Sequence, residues 1–136
     1  MEMILNQANS KLNKIIYLAQ VLTTKMEEWI VDKIDNQVTT LTEYIGWGIG
    51  SGTIDKGNLT LFEESTEPRA TAVRTQQTAS IVQWVGTLTA TASRVITEAG
   101  LFNADANGDL FIHGDFTGIT LDTDDKIEFT FALTIQ

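Results

Sequence analysis

Over residues 127–135 large apolar side chains alternate with polar or small ones. Ile127, Phe129, Phe131, Leu133 and Ile135 fall on one side, Glu128, Thr130, Ala132 and Thr134 on the other. A period of two marks a strand with one face buried, and five large apolar residues commit that face to a core. Such a strand needs backbone partners, so the rest of the chain must supply a sheet. The residues just before it do so in form. Asn103–Gly108 (NADANG) is turn chemistry, and Asn107-Gly108 is the strongest short-range hairpin signal in the chain. It joins a strand over Arg94–Asn103 to an antiparallel return over Leu110–Phe116, and Asp122-Thr-Asp-Asp125 turns the chain into its last strand.

Further upstream the same period recurs. Ser80–Ala90 (SIVQWVGTLTA) sets Val82, Trp84 and Leu88 on one face and Ile81 and Val85 on the other, which suits a central strand buried on both sides. Ala70–Thr78 is a polar strand for an edge or a solvent-facing position. Trp84, Phe129, Phe131 and Leu133 are the expected core. From Glu43 the alternation places Ile45, Trp47 and Ile49 opposite Tyr44, Gly46 and Gly48. The glycine run Gly46–Gly52 does not fit a phosphate loop. No helix opens at its last glycine and no Gly-Lys-Ser/Thr follows. Its glycines are expected to admit a second backbone at close range. Residues 57–69, with Pro68, Glu63, Glu64 and Glu67, read as a loop with one helical turn near Leu61–Glu64 and solvent-exposed glutamates.

The first forty residues follow a different period. Leu5, Ala8, Leu12, Ile15, Ala19, Leu22, Met26 and Trp29 recur at alternating steps of three and four, the heptad a/d seam of a coiled coil. Thr24-Lys-Met-Glu27 has the form of a capping box. One long helix fits, and so do two, over 3–22 and 25–41. The seam can serve oligomerisation, through Leu5, Leu12, Ile15, Leu22, Met26 and Trp29, or pack on the chain's own β-domain. The fold expected is therefore α+β. A helical arm or oligomerisation segment over 1–42 precedes an antiparallel β-sandwich over 43–136, jelly-roll-like or immunoglobulin-like.

Composition removes many chemistries. There is no cysteine, so no disulfide and no thiolate, and the single His113 makes a histidine-clustered metal site or a Ser-His-Asp triad a poor fit. A net charge of −9 opposes nucleic-acid binding. No apolar run is long enough to span a membrane, and the N-terminus lacks the basic and apolar blocks of a secretory signal. Asp105-Ala-Asn-Gly-Asp109 begins like a calcium loop, yet its glycine comes early and Phe116 stands at the closing glutamate position. No catalytic, cofactor or metal residue is expected. His113 is read as lacking partners.

Several segments, in order, resemble small β-rich virion proteins of tailed bacteriophages. They are Tyr44-Ile-Gly-Trp-Gly48, Leu61-Phe-Glu63, Val85-Gly-Thr-Leu-Thr89, Ile96-Thr-Glu-Ala-Gly-Leu-Phe102, Gly114-Asp-Phe-Thr-Gly118 and Ile127-Glu-Phe-Thr-Phe131. The resemblance covers roughly residues 41–136, and Thr97–Phe102 is its most specific piece. It implies a non-enzymatic particle subunit made in the bacterial host cytoplasm and located in the virion. The leading expectation is a capsid decoration (cement) protein, self-associating as a trimer through the helical seam and contacting major capsid subunits. A tail, fibre or adaptor subunit is the alternative. A carbohydrate-binding β-sandwich, with Trp47 or Trp84 as stacking platform, is the third.

Overall fold

The computed structural model describes residues 2–7, 15–17, 19–35 and 42–135. Ten strands and one helix follow in order: β1 (Glu2–Gln7), β2 (Ile15–Tyr17), β3 (Ala19–Leu22), α1 (Thr24–Ile34), β4 (Tyr44–Gly48), β5 (Ala70–Thr71), β6 (Val73–Thr78), β7 (Ile81–Thr89), β8 (Arg94–Phe102), β9 (Leu110–Leu121) and β10 (Lys126–Thr134). They form two five-stranded antiparallel sheets, ordered β2-β1-β10-β7-β6 and β3-β9-β8-β4-β5.

The terminal strand behaves as its alternation requires. β10 pairs with β1 on one side and β7 on the other, and Ile127, Phe129 and Phe131 are fully buried. Leu133 is half-buried and Ile135 exposed, so the core thins toward the chain's end. Facing them from the second sheet are Ile45, Trp47, Ala99, Leu101 and Ile112. Trp47 meets the Phe129 ring edge-on at 6.2 Å, one of the preferred aromatic geometries. Gly86 leaves room for Ile45 Cδ1, 3.1 Å from where a Cβ would stand. On β7, Trp84, Gly86 and Leu88 are buried, while Ile81 and Val85 on the opposite face are only half-buried.

The helix expected over 3–22 is replaced, among the described residues of that stretch, by strands at 2–7, 15–17 and 19–22. Residues 2–7 run antiparallel to β10, with Leu5 opposite Phe129, and residues 19–22 run antiparallel to β9, with Val21 opposite His113. The first 22 residues thus supply strands to both sheets. Tertiary pairing overrides a spacing that a helix would also have satisfied. Ala8, Leu12 and residues 36–41 lie outside the described residues. The helix that does form is α1, and its N-cap is Thr23, one residue earlier than the capping-box reading. Its extended backbone (φ −79°, ψ 160°) lets the hydroxyl accept from the Met26 N–H at 3.3 Å. The same hydroxyl donates to the Leu110 carbonyl, and Thr23 N–H donates to Phe111 O at 2.9 Å, which ties the helix start to β9. Met26 is fully buried in the core, with Trp29 and Ile30 packed against it.

Candidate functional site

Part of the second sheet, around β4 and the adjoining ends of β8 and β9, is buried on both faces. Its inner face meets the first sheet; its outer face lies beneath the loop of residues 49–69. Register explains which residues that loop covers. Gly46 stands opposite Gly100, Gly48 opposite Glu98, and Gly100 opposite His113, so all share the outer face. The glycines make a floor on which the loop lies. A Cβ on Gly48 would stand 2.5 Å from the Glu63 carbonyl oxygen, and one on Gly50 2.5 Å from the Glu63 nitrogen. The expected close approach is therefore real, and the second backbone is residues 62–65. It is fixed by Ile49 N–H to Glu63 O and Ser65 N–H to Trp47 O, both 2.9 Å. No helical turn forms at Leu61–Glu64. Leu61 instead joins Phe102 and Leu110 in a small second core.

Three charged nodes hold the loop down. At the first, Glu98 is fully buried. It accepts from the Phe62 and Glu63 backbone N–H groups at 2.9 and 2.8 Å and faces His113 Nε2 at 2.8 Å. His113, also fully buried, faces Asn58 Oδ1 through Nδ1 at 3.0 Å, and that oxygen is already an acceptor for the Asp55 N–H at 2.8 Å. The imidazole thus bridges the Glu98 carboxylate and the Asn58 side-chain oxygen inside the protein. Phe62 lies against the ring at 4.8 Å between centroids. Burial works against the charged Glu98 carboxylate, but the hydrogen bonds from His113, Glu63 and Phe62 outweigh it and hold its pKa below the ordinary 4.5.

The second node is Glu67, which the exposed-loop reading misplaced: it is 6% exposed. Its carboxylate accepts from Ser65 Oγ, Trp47 Nε1 (3.3 Å), Thr91 N–H (3.2 Å), Thr91 Oγ1 (2.8 Å) and Arg94 Nε (2.6 Å). Burial again opposes ionisation, and donors from Ser65, Thr91 and Arg94 overcome it, holding the carboxyl far below the usual carboxylate range. The third is Arg69. It clasps Glu64 through two parallel bonds of 2.6 and 2.8 Å, lies 3.4 Å above the Phe102 ring centre, and donates to the Ala104 and Asn107 carbonyls at 2.8 Å each. The Asn103–Gly108 turn, with Asn107 and Gly108 at φ 55° and 71°, is thereby pinned to the loop. A guanidinium occupies the two carbonyls of that turn, and Asn103 Oδ1 accepts the Asp109 N–H at 2.7 Å.

Chemically, this network holds structure. The carboxylate oxygens of Glu98 and Glu67 are occupied by protein donors, and both side chains are closed off from solvent. Among the described residues no three His, Asp or Glu side chains gather to hold a metal ion, and no helix is long and apolar enough to cross a membrane. The residues expected to oligomerise are dispersed. Leu5 and Ile15 lie on β1 and β2, and Leu12 is outside the described residues. Leu22, on β3, packs against the core, Met26 is within it, and Trp29 tilts against Phe111 at 5.6 Å. Trp84, Phe129, Phe131 and Leu133 occupy or border the core. His113 has two partners where none was expected, Glu67 is buried where exposure was expected, and the pairing of Glu98 with His113 was not foreseen. Neither protein-family profiles nor curated protein sequences give a match to this chain.

Proposed function

We propose that the chain is a non-enzymatic structural subunit of a tailed-bacteriophage particle, a decoration (cement) protein bound to the capsid surface through major capsid subunits. One observation carries this reading. Four of the phage-like segments converge on one sheet: Tyr44–Gly48 is β4, Ile96–Phe102 lies in β8 beside it, Gly114–Gly118 lies in β9, and Leu61–Glu63 is the loop laid across them. Their glycines and Glu98 build the floor and latch of a loop-covered sheet. The segments that carry the resemblance thus specify a scaffold, and its polar groups are spent inside it. That is the economy of a subunit that works by presenting surface.

The helical seam that both a trimeric cement protein and a tail or fibre stalk drew on is not formed by residues 2–7 and 19–22, so it supports neither. A glycan platform drew on Trp47 or Trp84, and both are 1% exposed. The test is to locate the chain in purified particles of the phage that encodes it. The proposal expects the protein at regular positions on the capsid shell in a reconstruction. Its confinement to the tail, or its absence from the particle, contradicts it.

A further inference from the structure

Among the described residues the sheets end at β2 and β6 and at β3 and β5. Of these edges β6 is the longest, with all six residues exposed. Edge strands are ordinarily guarded by charges or proline, because unpaired N–H and C=O groups template further pairing. The β6 sequence Val73-Arg-Thr-Gln-Gln-Thr78 has one charge, Arg74, which is bound to the Glu43 carboxylate. No acidic residue occurs between Glu67 and Glu98, in a chain with 18 acids and a net charge of −9. Two copies repel one another over most of their surfaces, and the β6–β7 ribbon is where they approach at least electrostatic cost. Apolar surface lies at hand: Val73 is 66% exposed, and a groove beside the edge is floored by Val82, Leu133 and the 62% exposed Ile135.

We propose that β6 pairs antiparallel with β6 of a second copy about a two-fold axis, joining two five-stranded sheets into one of ten. Symmetry restricts the register. Residues opposite one another in an antiparallel pair share a face, so a two-fold between identical strands must set one residue against its own copy. A register shift begins after Gln76, so the regular stretch is Val73–Gln76. Centring the axis on Thr75 uses that stretch. It places Thr75 against Thr75, a favourable cross-strand pair, and Arg74 against Gln76, with no like charges opposed. This edge supplies the self-association that the particle role calls for and that the helical seam does not.

The register gives a test by charge. In the full-length protein, Gln76→Lys opposes Arg74 twice per dimer, and Gln76→Glu pairs with it twice. Sedimentation equilibrium is expected to show a monomer–dimer system for the native chain, weakened by Gln76→Lys and tightened by Gln76→Glu. The two dissociation constants should differ about tenfold, from two cross-strand pairs. Far-UV circular dichroism and reversible melts verify that both exposed-site variants keep the fold. A native protein that stays monomeric, a trimer, or a dimer indifferent to both substitutions overturns the proposal. A monomer that nevertheless binds capsids overturns this interface and leaves the particle role standing.

Discussion

At the scale of single residues, Glu98 does the most to define this structure. One carboxylate satisfies two loop N–H groups and one face of His113, in a place where water does not substitute. Removing one member of a buried, hydrogen-bonded pair leaves its partners unsatisfied, and such losses run to about 3–5 kcal/mol. Glu98→Ala is expected to lose stability on that scale in reversible urea unfolding. A loss under about 1 kcal/mol would show that the loop is held by other means. The pH dependence follows from the same groups. Glu67 and Glu98 are both held below their ordinary value of 4.5 in the folded chain. The unfolded chain therefore takes up protons first as the pH falls. Their stabilisation is complete above about pH 4.5 and is lost as the pH drops through their lower folded values. The melting temperature is expected to fall below pH 4.5, and Glu67→Gln or Glu98→Gln should flatten that fall. A wild-type melt unchanged between pH 6 and pH 3 would contradict it.

The Glu98–His113 contact was hidden in the sequence for a definite reason. A two-residue turn at Asn107-Gly108 would set His113 opposite Phe102. The wider loop over Asn103–Asp109, and the extra residue Phe111 on β9, set it opposite Gly100 instead, one diagonal step from Glu98. Bulges follow from packing and leave little local signal. Glu67 was hidden in another way: its burial depends on donors from Thr91 and Arg94, which are distant in sequence.

At the scale of elements, strands with a regular period were legible and those without one were not. The β8–β9 hairpin and β10 follow from alternation and an Asn-Gly turn, since both act within a few residues. β1 to β3 do not, because their apolar positions satisfy a three-four spacing, and only pairing with β10 and β9 decides between helix and strand. Leu22 separates the two accounts. On an oligomerisation seam, Leu22→Asp would spare the sandwich. On β3, packed against the core, it places a carboxylate among apolar groups. The substitution is expected to unfold the domain or lower its stability by several kcal/mol, measured by chemical denaturation; an unchanged midpoint would place Leu22 off the core. The glycine floor gives a second element-scale outcome. Gly48→Ala puts a methyl against the Glu63 carbonyl and the Glu98 carboxylate, and overpacking of this kind costs about 1–3 kcal/mol. The loss should coincide with faster amide exchange at Ile49 and Ser65, whose N–H groups tie the loop to β4. Normal protection there would show that the loop is fastened elsewhere.

At the scale of the whole molecule, two sheets share one core and a latched loop adds a third layer over half of it. Such layering commits the buried charges to the interior and leaves an acidic exterior with an acid-free ribbon along one edge. The glycines, Glu98 and the Thr97–Phe102 segment belong to one construction, which is why a resemblance read from scattered motifs converges on one sheet. Interpreted as a particle subunit, the molecule works through what it covers and what it pairs with. The most direct measurement of the proposed particle role is titration of the purified full-length protein onto undecorated phage shells assembled from the major capsid protein encoded beside it, followed by sedimentation and electron microscopy. The account predicts saturable binding at regular surface positions and shells that withstand heating better once decorated. Shells that take up no protein at saturating concentration, with the protein shown to be folded, would contradict it.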